Sequence, residues 1–253
     1  ISSSVFLTTA TDVIGFFIPL GVLLQFVLRG DVAAEFLAIQ PVVVNSVVVS
    51  MTAAVFIMLV ASLIVLTAAF RGGSKLRKLA LISSTGYAFP GTILAIGVLI
   101  YAGYIDDVLR FISGGVISSF LIAGLGLLML AYLVRFQAIG YGAILSGVRR
   151  LPENLMSASR VLGHGYGASL RQIILPLLKS SFLAGLILVF VDIMKELPMT
   201  LLLRPFDFET LATHTYQFAK DEMLEKAALP ALMIVMTGLM PVILMSAMLR
   251  RYR

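Results

Sequence analysis

Three ionisable residues lie close together in a strongly apolar part of this sequence. Asp192, Lys195 and Glu196 follow the apolar run 182–191 and precede Pro198. If this stretch crosses a bilayer, each charge costs about 2.5–3.5 kcal/mol on insertion scales, and such groups usually face a bundle interior or a water-filled path. Helical spacing allows Asp192 to pair with Lys195 at i,i+3, or Glu196 to share its face at i,i+4.

A proline predicts a break in the helix that carries these charges, because proline lacks a backbone N–H and clashes with the preceding turn. Broken backbone at membrane depth is tolerated where it lines a cavity, so we predict a pore or gate at this place. Two simpler interpretations stay open: the charges reach the outer interface, or they form a structural pair between helices. The candidate pore or gate residues are Asp192, Lys195, Glu196, Pro198, Thr200 and, in an earlier interrupted apolar stretch, Pro90.

The composition argues against metal, redox and hydrolytic chemistry in this chain. Cysteine is absent, which excludes disulfides, thiolate catalysis and cysteine-ligated metals. With His164 and His214 the only histidines, we expect no dedicated metal site. The phosphate-binding pattern G-x-x-x-x-G-K-[S/T] does not occur, so we expect a chain that is not an enzyme, hydrolyses no ATP and holds no cofactor.

The overall composition is that of an integral membrane protein. Hydrophobic residues make up 60% and charged residues 13% of the 253 residues, the mean hydropathy is +1.04, and a soluble domain is about a quarter charged. We predict an all-α polytopic membrane helix bundle of about six transmembrane helices, forming a single domain over 1–253. The six apolar stretches are 13–28, 42–70, 79–104, 115–134 and two that begin near 180 and 227.

Basic residues set the predicted orientation. Lysine and arginine cluster in the loop 71–78, in the region 135–179 and at the C-terminus. By the positive-inside rule these segments are cytoplasmic, and both termini of this multi-pass chain then lie on the cytoplasmic side. Membrane topology therefore explains the net charge of +6, and we expect lipid rather than nucleic acid as a partner.

Residues 151–178, here called the elbow, form the one long basic stretch between apolar segments. Apolar residues fall at helical spacing over 155–162 and again over 170–177. Gly163 and two further glycines separate these runs, and glycine inside a helix costs about 1 kcal/mol. The pattern predicts a helix, a turn and a helix, which is a device for receiving force from another protein. An ordinary amphipathic hairpin is the simpler interpretation.

The elbow resembles the EAA loop of bacterial ABC importer permeases. Gly163, nine further residues and then Ile-Ile-Leu-Pro match the family pattern of EAA, three residues, glycine, nine residues and I-x-L-P. The opening triplet is Ser-Ala-Ser, so the family's glutamate is replaced by Ser157. The resemblance implies that a cytoplasmic coupling loop, about 136–179, docks in a cleft of a separate ATPase subunit. The implied coupling residues are Ser157, Ala158, Ser159, Gly163, Ile173, Leu175 and Pro176.

A wider resemblance, to the ferric-iron branch of these permeases, covers the whole chain. It is carried by Asn45-Ser46, by the run 87–92 (YAFPGT) and by the run 195–213, which opens with KELPMT. Such permeases are often single polypeptides with two similar six-span halves, and this chain resembles the C-terminal half. Because it begins with Ile1 and shows no signal-peptide pattern, we expect a fragment of a longer polypeptide.

The wider resemblance also implies a function and a set of partners. The function is translocation of ferric iron across the bacterial inner membrane. The implied partners are an ATP-binding cassette ATPase, a periplasmic substrate-binding protein and a second permease half or subunit. Importers of thiamine, polyamines, sulfate or molybdate share the same scaffold and stay open as alternatives.

Two other classes of protein fit part of the sequence. An ion-coupled secondary transporter or channel explains the charges at 192–196 but leaves the elbow unexplained. A membrane scaffold without transport explains the elbow but leaves the buried charges unexplained.

The segment 204–226, which follows the charged residues, is too polar to span a membrane and predicts a surface or re-entrant helix.

Overall fold

The computed structural model describes residues 2–30, 32–83, 85–114, 124–152 and 154–251, and these residues are largely helical. No β-strand occurs in these ranges, and the predicted all-α polytopic fold class is confirmed. A 3-10 turn (Gly86–Ala88) precedes α4, and a π-helical turn (Leu170–Ile174) joins α7 to α8. The helices are α1 (Ser2–Arg29), α2 (Val32–Phe70), α3 (Ser74–Ile82), α4 (Gly91–Ile112), α5 (Leu125–Val148), α6 (Leu155–Val161), α7 (Tyr166–Ser169), α8 (Leu175–Leu177), α9 (Lys179–Met194), α10 (Pro198–Leu203), α11 (Leu211–Lys220) and α12 (Leu224–Arg251).

Within the described residues, α2, α4 and α5 are long and apolar enough to cross a membrane. A fourth crossing is obtained if Tyr166–Leu177 and Lys179–Met194, which meet at a bend of 64°, are one broken span. The first and last predicted spans fall in α1 and α12. Of these, α1 contributes the shorter apolar helix Val13–Arg29. The described part of the chain thus supports three or four of the six predicted spans by length and apolarity.

The third predicted span, 79–104 with an interruption at 87–92, is interrupted as expected but wrong in its bounds. Its helix is α4, which begins at Gly91 and ends at Ile112, with Pro90 as the residue before the first turn. The reason is local, because proline disfavours helical backbone in the residue before it and fits the start of a helix well.

The predicted start of the coupling loop, about residue 136, is also wrong. The fourth predicted span, 115–134, lies partly outside the described residues, and its helix α5 continues through the supposed loop start to Val148. Buried residues such as Phe136 and Ile144 continue to pack along this stretch, so the helix persists. The connection to the elbow therefore begins at Arg149.

Residues 48–206 form one compact unit, in which α5 packs closely on α2 and α9. A Cβ built on Gly185 of α9 would lie 2.7 Å from Ala143 Cβ of α5 and 2.7 Å from Met58 Cε of α2. Small residues of this kind let membrane helices approach closely and pack by van der Waals contact. This packing holds α5 in place, and α5 supplies the side chains of the site described below.

Residues 1–47 and 207–253 form a second compact unit. Buried Val27 of α1 packs there with Ala228 and Leu232 of α12.

The helix predicted in the polar segment 204–226 is α11. The hydroxyl of Thr210 caps this helix by accepting the backbone N–H of Thr213.

Candidate functional site

A buried ion pair lies at the break between α9 and α10. The Nε atom of Arg135, on α5, lies 3.7 Å from Oε2 of Glu196, which is only 7% exposed. The other carboxylate oxygen, Oε1, accepts the backbone N–H of Met199 at 3.2 Å. One carboxylate therefore binds both the arginine of α5 and the first turn of α10.

Two hydroxyl groups extend this polar cluster. Thr200 Oγ1 donates to the backbone carbonyl of Glu196 at 2.6 Å, and the Tyr132 hydroxyl lies 2.5 Å from the same Thr200 oxygen. Because the single hydroxyl proton of Thr200 goes to the carbonyl, Tyr132 must donate to Thr200. Both side chains are fully buried. The chain of bonds ties α10 to α5 across the break.

The interrupted stretch before α4 packs onto the same cluster. A Cβ on Gly91 would overlap Arg135 Nη1 and would lie 2.9 Å from Glu196 Oε1. The Arg135 guanidinium also lies 5.9 Å from the ring centre of Tyr87, within the range of a cation–π contact. The runs YAFPGT and KELPMT, far apart in the sequence, therefore meet at one site.

The second charge pair at the break is different in character. Lys195 Nζ lies 2.7 Å from Asp192 Oδ1, which is the i,i+3 pair that the spacing allowed. The Lys195 side chain is 59% exposed. Glu196 lies in the break rather than in a helix, and its partner is Arg135 of α5. Pro198 is the first residue of α10 and is exposed, as is Pro90 before α4.

The sequence interpretation missed Arg135 and Tyr132. The predicted fourth span ends at Val134, which places the arginine in a basic loop rather than in a membrane helix. The signal that could have found it is the apolar sequence that continues on its far side, from Ala138 to Leu145. A charge flanked by apolar residues on both sides inside a span is itself a functional-site signal.

The elbow has the predicted helix, turn and helix. α6 ends at Val161, Gly163 adopts a left-handed backbone with φ of 85°, and α7 begins at Tyr166. A side chain at this φ is strained, so glycine suits the turn. The two arms are joined by Ser159, which lies 2.7 Å from the hydroxyl of Ser169. Ser169 donates in turn to the carbonyl of Gly165, and both serines are buried.

The inner face of the elbow is fixed to the membrane helices of its unit. Ile174 and Leu178 are buried against Leu66 of α2. The Arg71 guanidinium lies 4.5 Å from the ring centre of Tyr166, so the short turn between α2 and α3 also contacts the elbow. The elbow and α2 therefore share one packed cluster.

The outer face of the elbow exposes apolar side chains at its turn. Val161 and Leu162 are 88% and 75% exposed. Of the predicted coupling residues, Ser159 is buried and Ile173 is half-buried, and the rest are exposed. The exposed members are Ser157, Ala158, Gly163, Leu175 and Pro176. Adjacent exposed apolar residues at the tip of a tethered segment are suited to contact a partner protein.

In the unit of residues 1–47 and 207–253, the structure joins two more of the sequence motifs. Ser46 Oγ accepts the backbone N–H of Leu211 at 2.6 Å, and the Asn45 side chain donates to the carbonyl of Glu209. These bonds fix the start of α11 on α2. On α11, burial lowers the pKa of His214, while the nearby Glu209 raises it. The net effect lowers the pKa of His214, which favours the uncharged imidazole.

Comparisons with known proteins place these features in one group of proteins. A family model described as "Binding-protein-dependent transport system inner membrane component" matches residues 61–253, which contain both the elbow and the helix break. The chain is also similar to the Fe(3+)-transport system permease protein FbpB 2 of Haemophilus influenzae, with 24% identity over 160 residues. That alignment covers 63% of this chain and 29% of the relative, so the chain matches less than a third of the relative's length.

Proposed function

Because the chain belongs to the family of inner-membrane components of binding-protein-dependent transport systems, we propose that it is the permease of an ABC importer for ferric iron. The elbow carries the importer part of this proposal. It combines the Gly163 turn and the I-x-L-P run of the EAA pattern with an inner face packed on α2 and an outer face of exposed apolar residues.

The proposed energy source is a separate ATP-binding cassette ATPase, which docks on the outer face of the elbow. Val161 and Leu162 supply apolar contact area, and Ser157 and Ala158 lie on the same exposed helix α6. Nucleotide-driven movement of the ATPase would reach α2 through Ile174 and Leu178. A periplasmic binding protein delivers the substrate, and a second permease half or subunit completes the path.

Ferric iron is proposed from similarity to the iron permease of Haemophilus influenzae and from the KELPMT run. Fe³⁺ is a hard cation and prefers several oxygen ligands, by analogy with other hard cations. The helix break offers the carboxylates of Asp192 and Glu196, but Lys195 and Arg135 lie beside them. We propose that these groups gate the path rather than bind the ion tightly, because conduction requires release.

The experiment is uptake of ⁵⁵Fe³⁺ into vesicles that contain the complete permease, its ATPase and its binding protein. We expect uptake that needs ATP hydrolysis and survives collapse of the ion gradients by ionophores. Uptake that stops with the gradients and ignores ATP would favour an ion-coupled transporter, the class that the buried charges also suit. ATP-driven uptake of thiamine, a polyamine, sulfate or molybdate, with no uptake of iron, would change the proposed substrate and leave the proposal of an ABC importer standing.

The proposed orientation, with the elbow and both termini in the cytoplasm, has its own test. Ser169 is only 1% exposed, so a cysteine there would be unreactive from either side and is a poor reporter. Leu162→Cys places a thiol at an exposed position in a chain that has no other cysteine. An impermeant thiol reagent should label it in inside-out vesicles and leave it unlabelled in intact spheroplasts. Labelling in intact spheroplasts would show that the elbow has the opposite orientation.

A further inference from the structure

We infer that Arg135 is a positioning residue for transport: by holding Glu196 in the break between α9 and α10, it sets the balance between the closed and open path. The inference rests on the proposed transport function and adds a residue to it. Arg135 belongs to α5, while Glu196 belongs to the break between α9 and α10, so the ion pair joins two elements that are separate in the sequence.

The carboxylate of Glu196 caps the start of α10. Its Oε1 accepts the N–H of Met199, which is one of the unpaired donors at the start of α10, while Oε2 faces Arg135. If Arg135 withdraws, this carboxylate is left buried with its charge uncompensated. A shift of the arginine therefore acts on the first turn of α10 through Glu196, alongside the bond between Tyr132 and Thr200.

The α4 helix is the third element of this contact. Its first residue, Gly91, leaves room for the arginine and the carboxylate because it has no side chain. A methyl group there would overlap Arg135 Nη1 and crowd Glu196 Oε1 at 2.9 Å. The ion pair is thus seated against the start of α4, and a change at Gly91 disturbs the pair without removing a charge.

The hydrogen bonding of the pair is incomplete, which suits a contact that must open. The 3.7 Å separation exceeds an ordinary hydrogen bond, and Arg135 Nε and Nη1 are buried with no hydrogen-bond acceptor among the described residues. A bidentate arginine–carboxylate pair would be shorter and stronger. A long pair held chiefly by charge loses fewer hydrogen bonds when it separates.

The decisive variant is Gly91→Ala, measured in the complete transporter in the same vesicles. We expect the ratio of iron uptake to ATP hydrolysis to fall about tenfold, which corresponds to a shift of about 1.4 kcal/mol in the closed–open equilibrium. Glu196→Gln should lower the same ratio, and Arg135→Lys, which keeps the charge, should retain more of it than Arg135→Gln.

Two matched controls separate this effect from general damage. Gly97→Ala and Gly103→Ala lie on the same helix as Gly91, and open space surrounds the added Cβ at both positions. Both should keep the unmodified ratio. An unchanged ratio in Gly91→Ala and Glu196→Gln overturns the inference, as does a parallel loss of uptake and hydrolysis, which is what a structural pair alone would give. Absence of ATP-driven uptake in the unmodified protein instead overturns the proposed function itself.

Discussion

At the turn of the elbow, two apolar side chains, Val161 and Leu162, are 88% and 75% exposed, whereas at the helix break the charged Glu196 is 7% exposed. Each region thus places a side chain in the environment that usually disfavours it. The inner face of the elbow is nevertheless packed on α2, and Glu196 is paired with Arg135. Each region also has groups that the described residues leave unpartnered: the exposed apolar side chains at the elbow, and the Nε and Nη1 atoms of Arg135 at the break.

The difference between the two regions lies in what would satisfy them. Exposed apolar side chains gain free energy when a partner protein covers them, by roughly 25 cal/mol per Å² buried. A buried carboxylate gains nothing from a protein surface outside the membrane, and it responds instead to the position of a neighbouring charge. The elbow is therefore suited to binding, and the break is suited to switching between two arrangements of the same chain.

The strongest test of this comparison replaces the exposed apolar pair of the elbow. In the double variant Val161→Asp, Leu162→Asp, we expect ATPase binding to weaken by about 2 kcal/mol, equal to about 30-fold in affinity, as for an interface hot spot. Membrane insertion should be unchanged because neither side chain is buried. The measurement is co-purification of the ATPase, quantified by titration.

Gln172→Glu is the matched control for the added negative charge, since Gln172 is an exposed elbow residue outside the turn. We expect it to bind the ATPase as the unmodified protein does. Full binding by the double variant would show that the exposed apolar residues do not form the contact with the ATPase. The elbow would then not be distinguished from the helix break as a binding surface.

The second test sharpens the part of the comparison that concerns rigidity. Gly163→Ala should destabilise the elbow by about 1 kcal/mol, because a left-handed backbone disfavours a Cβ even though open space surrounds it. Gly167→Ala lies within α7 at an ordinary backbone angle and should be neutral or stabilising by about 0.5–1 kcal/mol.

The measurement for this pair is the thermal midpoint of the purified permease, together with hydrogen exchange of the elbow amides. Gly163→Asn is an informative third variant, since asparagine tolerates the left-handed region better than alanine does. Equal behaviour of all three variants would mean that the turn at Gly163 adds nothing to the stability of the elbow.

Local rules predicted the parts of these regions that depend on neighbours in sequence. The i,i+3 spacing allowed the pair of Asp192 with Lys195, and the structure contains it at 2.7 Å. The glycine between two amphipathic runs predicted the turn at Gly163, and its positive φ agrees. Both features need only a helix or a turn and the residues within it.

Arg135 could not be found in this way, because its partner Glu196 is on another helix. Hydropathy alone also placed the end of the span just before the arginine, since the charge lowers the average at that point. For the third span, the sequence predicts an interruption around Pro90, but the bounds are wrong because the helix begins only after that proline. Sequence patterns are therefore weakest at predicting contacts between helices and the bounds of spans that contain a charged residue.

The smallest expected effect comes from restoring the family's glutamate at the elbow. Ser157 is the third residue of α6, counted from the cap residue Asn154, and the first turn of this helix contains no acidic side chain. In Ser157→Glu the new carboxylate can reach back to the backbone N–H of Asn154, as in a capping box, and also interacts favourably with the helix dipole. We expect α6 to gain about 0.3–1 kcal/mol.

Because Ser157 is exposed, the new side chain displaces no packed group, and ATPase binding should be equal to or tighter than that of the unmodified protein. Ser157→Gln keeps the reach to Asn154 without the charge, so any advantage of glutamate over glutamine measures the charge alone. Weaker ATPase binding by Ser157→Glu would show that the partner surface of this chain is adapted to serine. The elbow would then have to dock differently from the family loop that it resembles, while the buried pair at the break would be unaffected.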